Sequence, residues 1–504
     1  MRRRKRQTLL YTLSTILALV FCCAYMGGRI PYKPYRFSTA RKDCNFDASH
    51  FDDIRRRYGI DDRFHYSKQT VLFQPTPGLE RKSLTVLPQP LLAFTTAIDN
   101  NDAVTLDATQ KRHQSFDCPD PIRVNVPVSG LPSTVDASDF IFAVSTTYER
   151  LNESRSEIVG DWEYWLTNGH RRSNGAKLLL VLWKATDEQL NDARTTLAQA
   201  GIDAEVDRSD NQHMPVRYIH LVPHLYRLAQ SPPRKWLVLC DDDTFFPAMH
   251  SLVERFASFD PTREHYIGTL SEDVGAVERH GSQAFGGAGV FLSMPTAKRI
   301  TESIASCSSD EKLNEAIWQG DKLLRNCIYQ NTNALLAVLP DLWQLDIRGD
   351  PAGFYEWGHK PLSLHHYRGD WNRARPVQFS KIAYVCGEDC ILQRLQTVDN
   401  FIISGHSIAL YPAGITFDTN QVERTFEAID DKGWNYDFVF GPQRPSLKKS
   451  GHKISWELQG SDVLPDGSVL QTYLRKRDQI RWSGVGNKPM GELDSVIELI
   501  WRPA

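Results

Sequence analysis

Four apolar runs, separated by segments of helical periodicity, constrain this chain more than any other feature. They are Phe140–Thr146, Lys177–Trp183, Lys235–Leu239 and Tyr266–Leu270, each of strand length. Between them Ser156–Leu166, Asp187–Ala200, Pro215–Leu228 and Pro247–Phe259 repeat their apolar residues with a helical period. Strands joined through helices run in the same direction, so the alternation predicts an α/β fold with a mostly parallel central sheet. Ligand sites in such sheets lie just beyond the carboxyl ends of the strands, which makes the residues after each run the ones to inspect.

The third run supplies the sharpest chemistry. Lys235-Trp-Leu-Val-Leu-Cys240 ends in Asp241-Asp242-Asp243, followed by Thr244-Phe-Phe246. Successive side chains of an extended segment alternate in direction, so Asp241 and Asp243 share one side and Asp242 takes the other. Two carboxylates on one side can hold a magnesium or manganese ion, which prefers oxygen ligands and keeps positions open for diphosphate oxygens. An acid triplet alone also describes a solvated turn, so this reading needs support from elsewhere in the chain.

The 504 residues are enough for more than one unit. Arg2, Arg3, Arg4, Lys5 and Arg6 precede a charge-free run from Gln7 to Gly28. Its apolar centre, Leu9 to Met26, would span about 27 Å as a helix, close to the roughly 30 Å hydrocarbon core of a bilayer. Basic residues on the short leading side predict a cytoplasmic tail (1–8), a transmembrane signal anchor (9–28) and a lumenal remainder. Residues 29–138, rich in Pro, Asp and Arg, read as a lumenal stem. Residues 139–395 hold the α/β pattern. Residues 396–504, with turn signals such as Leu464-Pro-Asp-Gly467, read as a β-rich carboxyl-terminal extension. The formal net charge of -2 provides no global field for binding nucleic acid.

Of nine cysteines, Cys22 and Cys23 fall in the expected anchor, and Cys240, inside an apolar run, is the one expected to be free and buried. Cys44, Cys118, Cys307, Cys327, Cys386 and Cys390 remain for an oxidising compartment, where six cysteines allow 15 pairings. No second ligand pair stands near Cys386-Gly-Glu-Asp-Cys390 at finger-like spacing, so disulfides are expected there in preference to zinc.

The segment Lys235–Phe246 resembles the DxD segment of Fringe-like β-1,3-glycosyltransferases, and other matches follow in family order. Phe140-Ile-Phe-Ala-Val-Ser-Thr-Thr147 with Arg155 and Trp162 resembles the opening strand and helix of that family's catalytic domain, although Gly160-Asp161 precedes the Trp where a Thr is usual. Phe285-Gly-Gly-Ala-Gly-Val-Phe-Leu-Ser293 resembles its Gly-rich segment, Gly320-Asp-Lys-Leu-Leu324 its later acidic motif, and Leu362-Ser-Leu-His-His-Tyr367 its histidine segment. The overall pattern is most similar to a divergent plant and fungal branch.

The resemblance implies a GT-A-type nucleotide-sugar-binding fold, a UDP-sugar donor, Mn²⁺, a glycan or glycoconjugate acceptor, inversion at the anomeric carbon and a Golgi location. It implies Asp241, Asp243 and His366 as metal ligands, with His365 the alternative of the doublet. Asp321 is implied as the general base, with Glu311 and Asp310 nearby. Thr146, Arg155, Asp241, Asp242, Gly286, Gly287 and Gly289 are implied to contact the donor. The aromatics Trp343, Phe354, Tyr355 and Trp357 form a candidate acceptor wall. Asn152-Glu-Ser154 is a glycosylation sequon expected to be unused or to point away from the donor site. Two rival readings stay open: a metal-dependent hydrolase using the same acids, and a non-catalytic membrane-tethered carbohydrate-binding protein.

Overall fold

The computed structural model describes residues 48–92, 104–107, 120–368, 373–427, 436–448, 450–477 and 493–504. The expected tail and anchor, together with Cys44 and Cys118, lie outside them. Among the described residues no helix is long and apolar enough to cross a membrane.

The four expected strands form at Phe140–Thr147, Lys177–Trp183, Trp236–Leu239 and Tyr266–Gly268, and the helices between them at Arg155–Leu166, Asp187–Gln199, Met214–Leu228 and Met249–Phe256. With Ala204–Ser209, Val290–Ser293 and Leu336–Val338 they build a seven-stranded sheet. From one edge, its order is 336–338, 266–268, 290–293, 236–239, 140–147, 177–183 and 204–209. All neighbours are parallel except Val290–Ser293, which runs antiparallel to both strands beside it.

That reversal positions the site. Val290 pairs with Leu239, so the chain entering the reversed strand arrives where the Trp236–Leu239 strand leaves the sheet. The Gly-rich turn therefore lies against the acid triplet. Both faces of the sheet are buried. Phe140, Phe142 and Val144 join one apolar core, while Ile141 and Ala143 pack into a second with Val216, Ile219 and Val222 of the Met214–Leu228 helix. Strands covered on both faces read as continuous apolar runs, which is why these were visible in the sequence.

The β-rich carboxyl-terminal region forms as expected, but the presumed stem is part of it. Arg63–Thr76 runs parallel to Asp494–Pro503, with Phe64 opposite Asp494 and Phe73 opposite Pro503. Ile122–Pro127 adds beside Arg63–Thr76, and Leu84–Val86 pairs with Arg394–Gln396 at the far edge of the same ten-stranded sheet. Arg81 fixes this connection by donating to the carbonyls of Gly358, His359, Asp389 and Ile391. The stem reading of 29–138 is corrected over these stretches: their alternating apolar residues fill a sheet whose other strands lie hundreds of positions away.

Candidate metal site

The acid triplet leaves the Trp236–Leu239 strand in a tight turn. Thr244 holds it, with its hydroxyl accepting from the Asp241 N–H at 2.9 Å and donating to the Gly287 carbonyl at 2.7 Å. Phe245 then pairs with Leu364 through two backbone hydrogen bonds of 2.8 Å. This bridge, with the Leu342–Trp343 and Ser363–Leu364 pairing, delivers the histidine doublet to the acids.

His365 is the residue that reaches them. Its Nε2 lies 3.1 Å from Asp243 Oδ1 and 3.3 Å from Asp241 Oδ2, and one ligand atom from each of the three falls within 4.8 Å of the others. His366 does not join this group. Its Nδ1 lies 2.8 Å from Asp346 Oδ1, and its ring stands 3.8 Å from that of His365. Of the doublet, the structure brings His365, and not the expected His366, to the two acids. His366 has φ +49°, and this left-handed residue turns the chain so that the two imidazoles face different carboxylates.

Burial works against charge in this cluster, but the ion pairing outweighs it. Asp243 is desolvated, yet His365, His366 and Arg150 hold its carboxyl well below the usual range. His365 is likewise desolvated, but Asp243 and Asp241 raise it to about 10. Two carboxylates and one imidazole form a mixed oxygen–nitrogen donor set that could hold a divalent ion, with Asp241 half-exposed on the open side.

The other expected residues divide. Asp242 points away, as alternation requires. Its carboxylate accepts from Arg150 Nε at 2.6 Å, Arg150 Nη2 at 2.7 Å and the Thr146 hydroxyl at 2.5 Å. Asp242 and Thr146 thus brace the turn instead of presenting free donor ligands. Arg155 does not reach the acids: it pairs with Asp192 and also donates to Tyr148, Thr196 and Asn152. The arginine at the site is Arg150, which the sequence reading missed. It sits in the first turn after the Phe140–Thr147 strand, its backbone N–H donating to the Thr147 hydroxyl. Asn152 is exposed and its side-chain oxygen accepts from Arg155 Nη2 at 2.7 Å.

The glycines form a cradle. A Cβ at Gly287 would lie 2.1 Å from the His365 ring, and one at Gly286 would lie 2.6 Å from the Tyr218 hydroxyl and 2.7 Å from Asp321 Oδ1. Gly289 has φ +98°, a conformation closed to residues with a Cβ. Gln344 accepts from the Ala288 N–H and Ser363 donates to the Ala288 carbonyl, fixing the turn from the histidine side.

Asp321 begins the Gly320–Asn331 helix on the opposite side of that turn. Burial lifts its carboxyl to about 7, with the Gly286 N–H opposing and Asp241 adding to the rise. The disulfide Cys307–Cys327 ties this helix to Met294–Cys307; Cys386 pairs with Cys390, and Cys240 is free and buried. The expected acceptor wall is corrected. Trp343, Phe354 and Tyr355 are buried, and Trp343, Phe354 and Trp357 pack around His359 and Phe440 as core.

Residues 182–344, which contain the acid triplet, the Gly-rich turn and Asp321, match a family model described as Fringe-like. Residues 278–490 match a second model, described as a protein of unknown function, DUF604, which carries the similarity into the β-rich region. Among solved structures, the glycosyltransferase GlyE of Streptococcus pneumoniae TIGR4 is similar at 16% identity over 46% of this chain and 55% of that one, with a TM-score of 0.30. A mannosyltransferase of Pyrobaculum calidifontis, in complex with GDP-Man and Mn²⁺, is similar at 15% identity over 42% and 59%, with a TM-score of 0.26. Mouse xyloside xylosyltransferase 1 is similar at 12% identity over 40% and 85%, with a TM-score of 0.24. The chain thus spans just over half the length of the first two. No curated protein sequence matches it.

Proposed function

We propose that this chain is an inverting, metal-dependent glycosyltransferase that moves a sugar from a UDP-sugar to a glycan or glycoconjugate acceptor, forming a β-1,3 linkage. The observation that carries the reading is the convergence of Asp241, Asp243 and His365 across a Gly-rich cradle from Asp321. The three ligands would hold manganese, which supplies charge neutralisation for a departing diphosphate. Asp321 takes the proton from the attacking acceptor hydroxyl; its raised carboxyl makes it a stronger base than an ordinary aspartate. A single carboxylate on the acceptor side suits direct displacement with inversion. Gly286 and Gly287 let the turn pack directly against Asp321 and His365, where any Cβ would collide with those side chains.

In this reading the protein is a type II Golgi protein with its catalytic region in the lumen. The charge asymmetry around Leu9–Met26 supports it, as do two disulfides in a chain that keeps Cys240 buried and reduced.

Calorimetric titration with UDP and UDP-sugars, with and without Mn²⁺, tests the proposal. Manganese-dependent UDP binding is expected in the wild type and in His366→Ala, and is lost in Asp243→Ala and His365→Ala. Binding that ignores manganese, or survives His365→Ala, would sink the ligand assignment.

A further inference from the structure

The segment just before Asp321 carries features that the donor site does not use. Ile317 and Trp318 both have positive φ, +53° and +56°, a rare conformation for bulky residues and more so for a β-branched one. Both are exposed, Ile317 at 64% and Trp318 at 46%. The turn is nonetheless firmly built. The Ile317 and Trp318 N–H groups donate to the carbonyls of Asn314 and Leu313, and the indole Nε1 donates to Asn314 Oδ1 at 3.1 Å. Cys307–Cys327 closes the loop that carries both Trp318 and Asp321.

A second segment meets it. The His213 ring lies 4.8 Å from the Trp318 ring, and Met214, 56% exposed, opens the Met214–Leu228 helix. One helical turn further on, Tyr218 packs on Gly320 and its hydroxyl reaches the Gly286 position beside Asp321. The same two segments therefore touch at two levels. The inner one, Tyr218–Gly320–Asp321, borders the reacting centre; the outer one, His213–Trp318 with Met214 and Ile317, is an apolar rim open to solvent.

Resting on the glycosyltransferase reading, we propose that Trp318, with Ile317 and Met214, is the platform that receives the acceptor. The apolar C–H face of a pyranose ring would lie on the indole while its hydroxyl projects toward Asp321. A sugar is the ligand whose two characters match these two levels: a flat apolar face for an exposed indole, and a hydroxyl for a carboxylate base. The rigid loop fixes the distance between platform and base, so this pair sets which hydroxyl reacts. The aromatic cluster around Trp343 cannot serve, because its rings are already packed against one another.

The test uses the full-length chain labelled with ¹⁵N-tryptophan, the Trp318 indole signal being assigned by its loss in Trp318→Phe. Methyl glycosides of galactose, N-acetylglucosamine, glucose, mannose and fucose are titrated separately from UDP with Mn²⁺. At least one glycoside is expected to shift the Trp318 signal. On the acceptor that supports transfer, Trp318→Ala should raise KM roughly tenfold, the effect of losing one aromatic stacking contact. UDP affinity should stay unchanged, and Trp318→Phe should recover most of the loss. UDP binding with no glycoside acting on Trp318, or an unchanged acceptor KM in Trp318→Ala, overturns the platform. A glycoside shift at Trp318 in a protein that binds no UDP keeps the sugar platform and overturns the transferase reading instead.

Discussion

In the carboxyl-terminal sheet Lys453 is fully buried and donates to Glu356 at 2.5 Å and to Glu423 at 2.7 Å. Around it Arg444 and Ser446 bond Glu423, and Ser407 bonds Glu356. In the seven-stranded sheet Asp241, Asp243 and His365 form a group of similar size, but Asp241 keeps 45% of its side-chain surface exposed and the group has far fewer bonds. One cluster is closed and densely bonded, whereas the other gathers like charges around one imidazole and leaves a side open. A closed cluster of paired buried charges serves the fold, since removing a partner strands the rest. An under-bonded one at a strand end is arranged for something that arrives later.

Asp243→Ala is the change that separates the clusters most. It should abolish manganese-dependent nucleotide binding and lower transfer by more than roughly a thousandfold, given the several kcal/mol that a bound metal supplies. Thermal stability should fall only modestly, because the lost pairing of Asp243 with His365 is partly offset by relieved repulsion with Asp241, which still pairs with His365. A collapse of the melting temperature would instead place this cluster in the same class as Lys453.

Asp321→Asn should retain manganese-dependent UDP binding and reduce transfer by about 10²–10⁴-fold, the range for losing a general base. Equal loss of nucleotide affinity would remove the division between the donor side of the Gly-rich turn and the base side.

Lys453→Met tests the closed cluster. It leaves Glu356 and Glu423 buried without their cation and should destabilise the protein by about 3 kcal/mol or more in urea titration. UDP binding by the folded fraction should be unaffected. Unchanged stability would mean that Arg444 and the hydroxyls alone satisfy those carboxylates.

The same contrast explains what could be read before the fold was known. Strands covered on both faces announce themselves as apolar runs, and the Asp241/Asp243 alternation follows from extended geometry alone. The choice between His365 and His366 depends on the Phe245–Leu364 bridge and a left-handed His366, neither of which periodicity encodes. Arg150 and Arg155 lie on neighbouring short helices, and only the break at Ser154 decides which one turns to the acids. The pairing of Arg63–Thr76 with Asp494–Pro503 spans most of the chain, and the alternation of apolar residues gives a strand's faces but not its partner. The aromatics around Trp343 have the composition of a sugar-binding wall, and burial alone shows them to be core.

A smaller effect distinguishes a closed site from an open one through pH. Glu388 is buried and accepts from the His250 and Ser251 N–H groups and the Ser251 hydroxyl, capping the Met249–Phe256 helix. Burial raises its carboxyl to about 7 despite those donors. Between the ordinary glutamate value of about 4.5 and that of the folded protein, the native state holds a proton that the unfolded chain has released. The stability from this group is therefore fully present below about pH 4.5 and is lost as pH rises through 7. Glu388→Gln removes the titration while preserving the shape, at the cost of an offset that does not vary with pH. From pH 5 to 7.5 the variant should gain about 2 kcal/mol relative to wild type, read as the change in the difference between their urea midpoints. A difference that stays constant across that interval would mean that the capped carboxylate is charged throughout, and that three donors outweigh its burial.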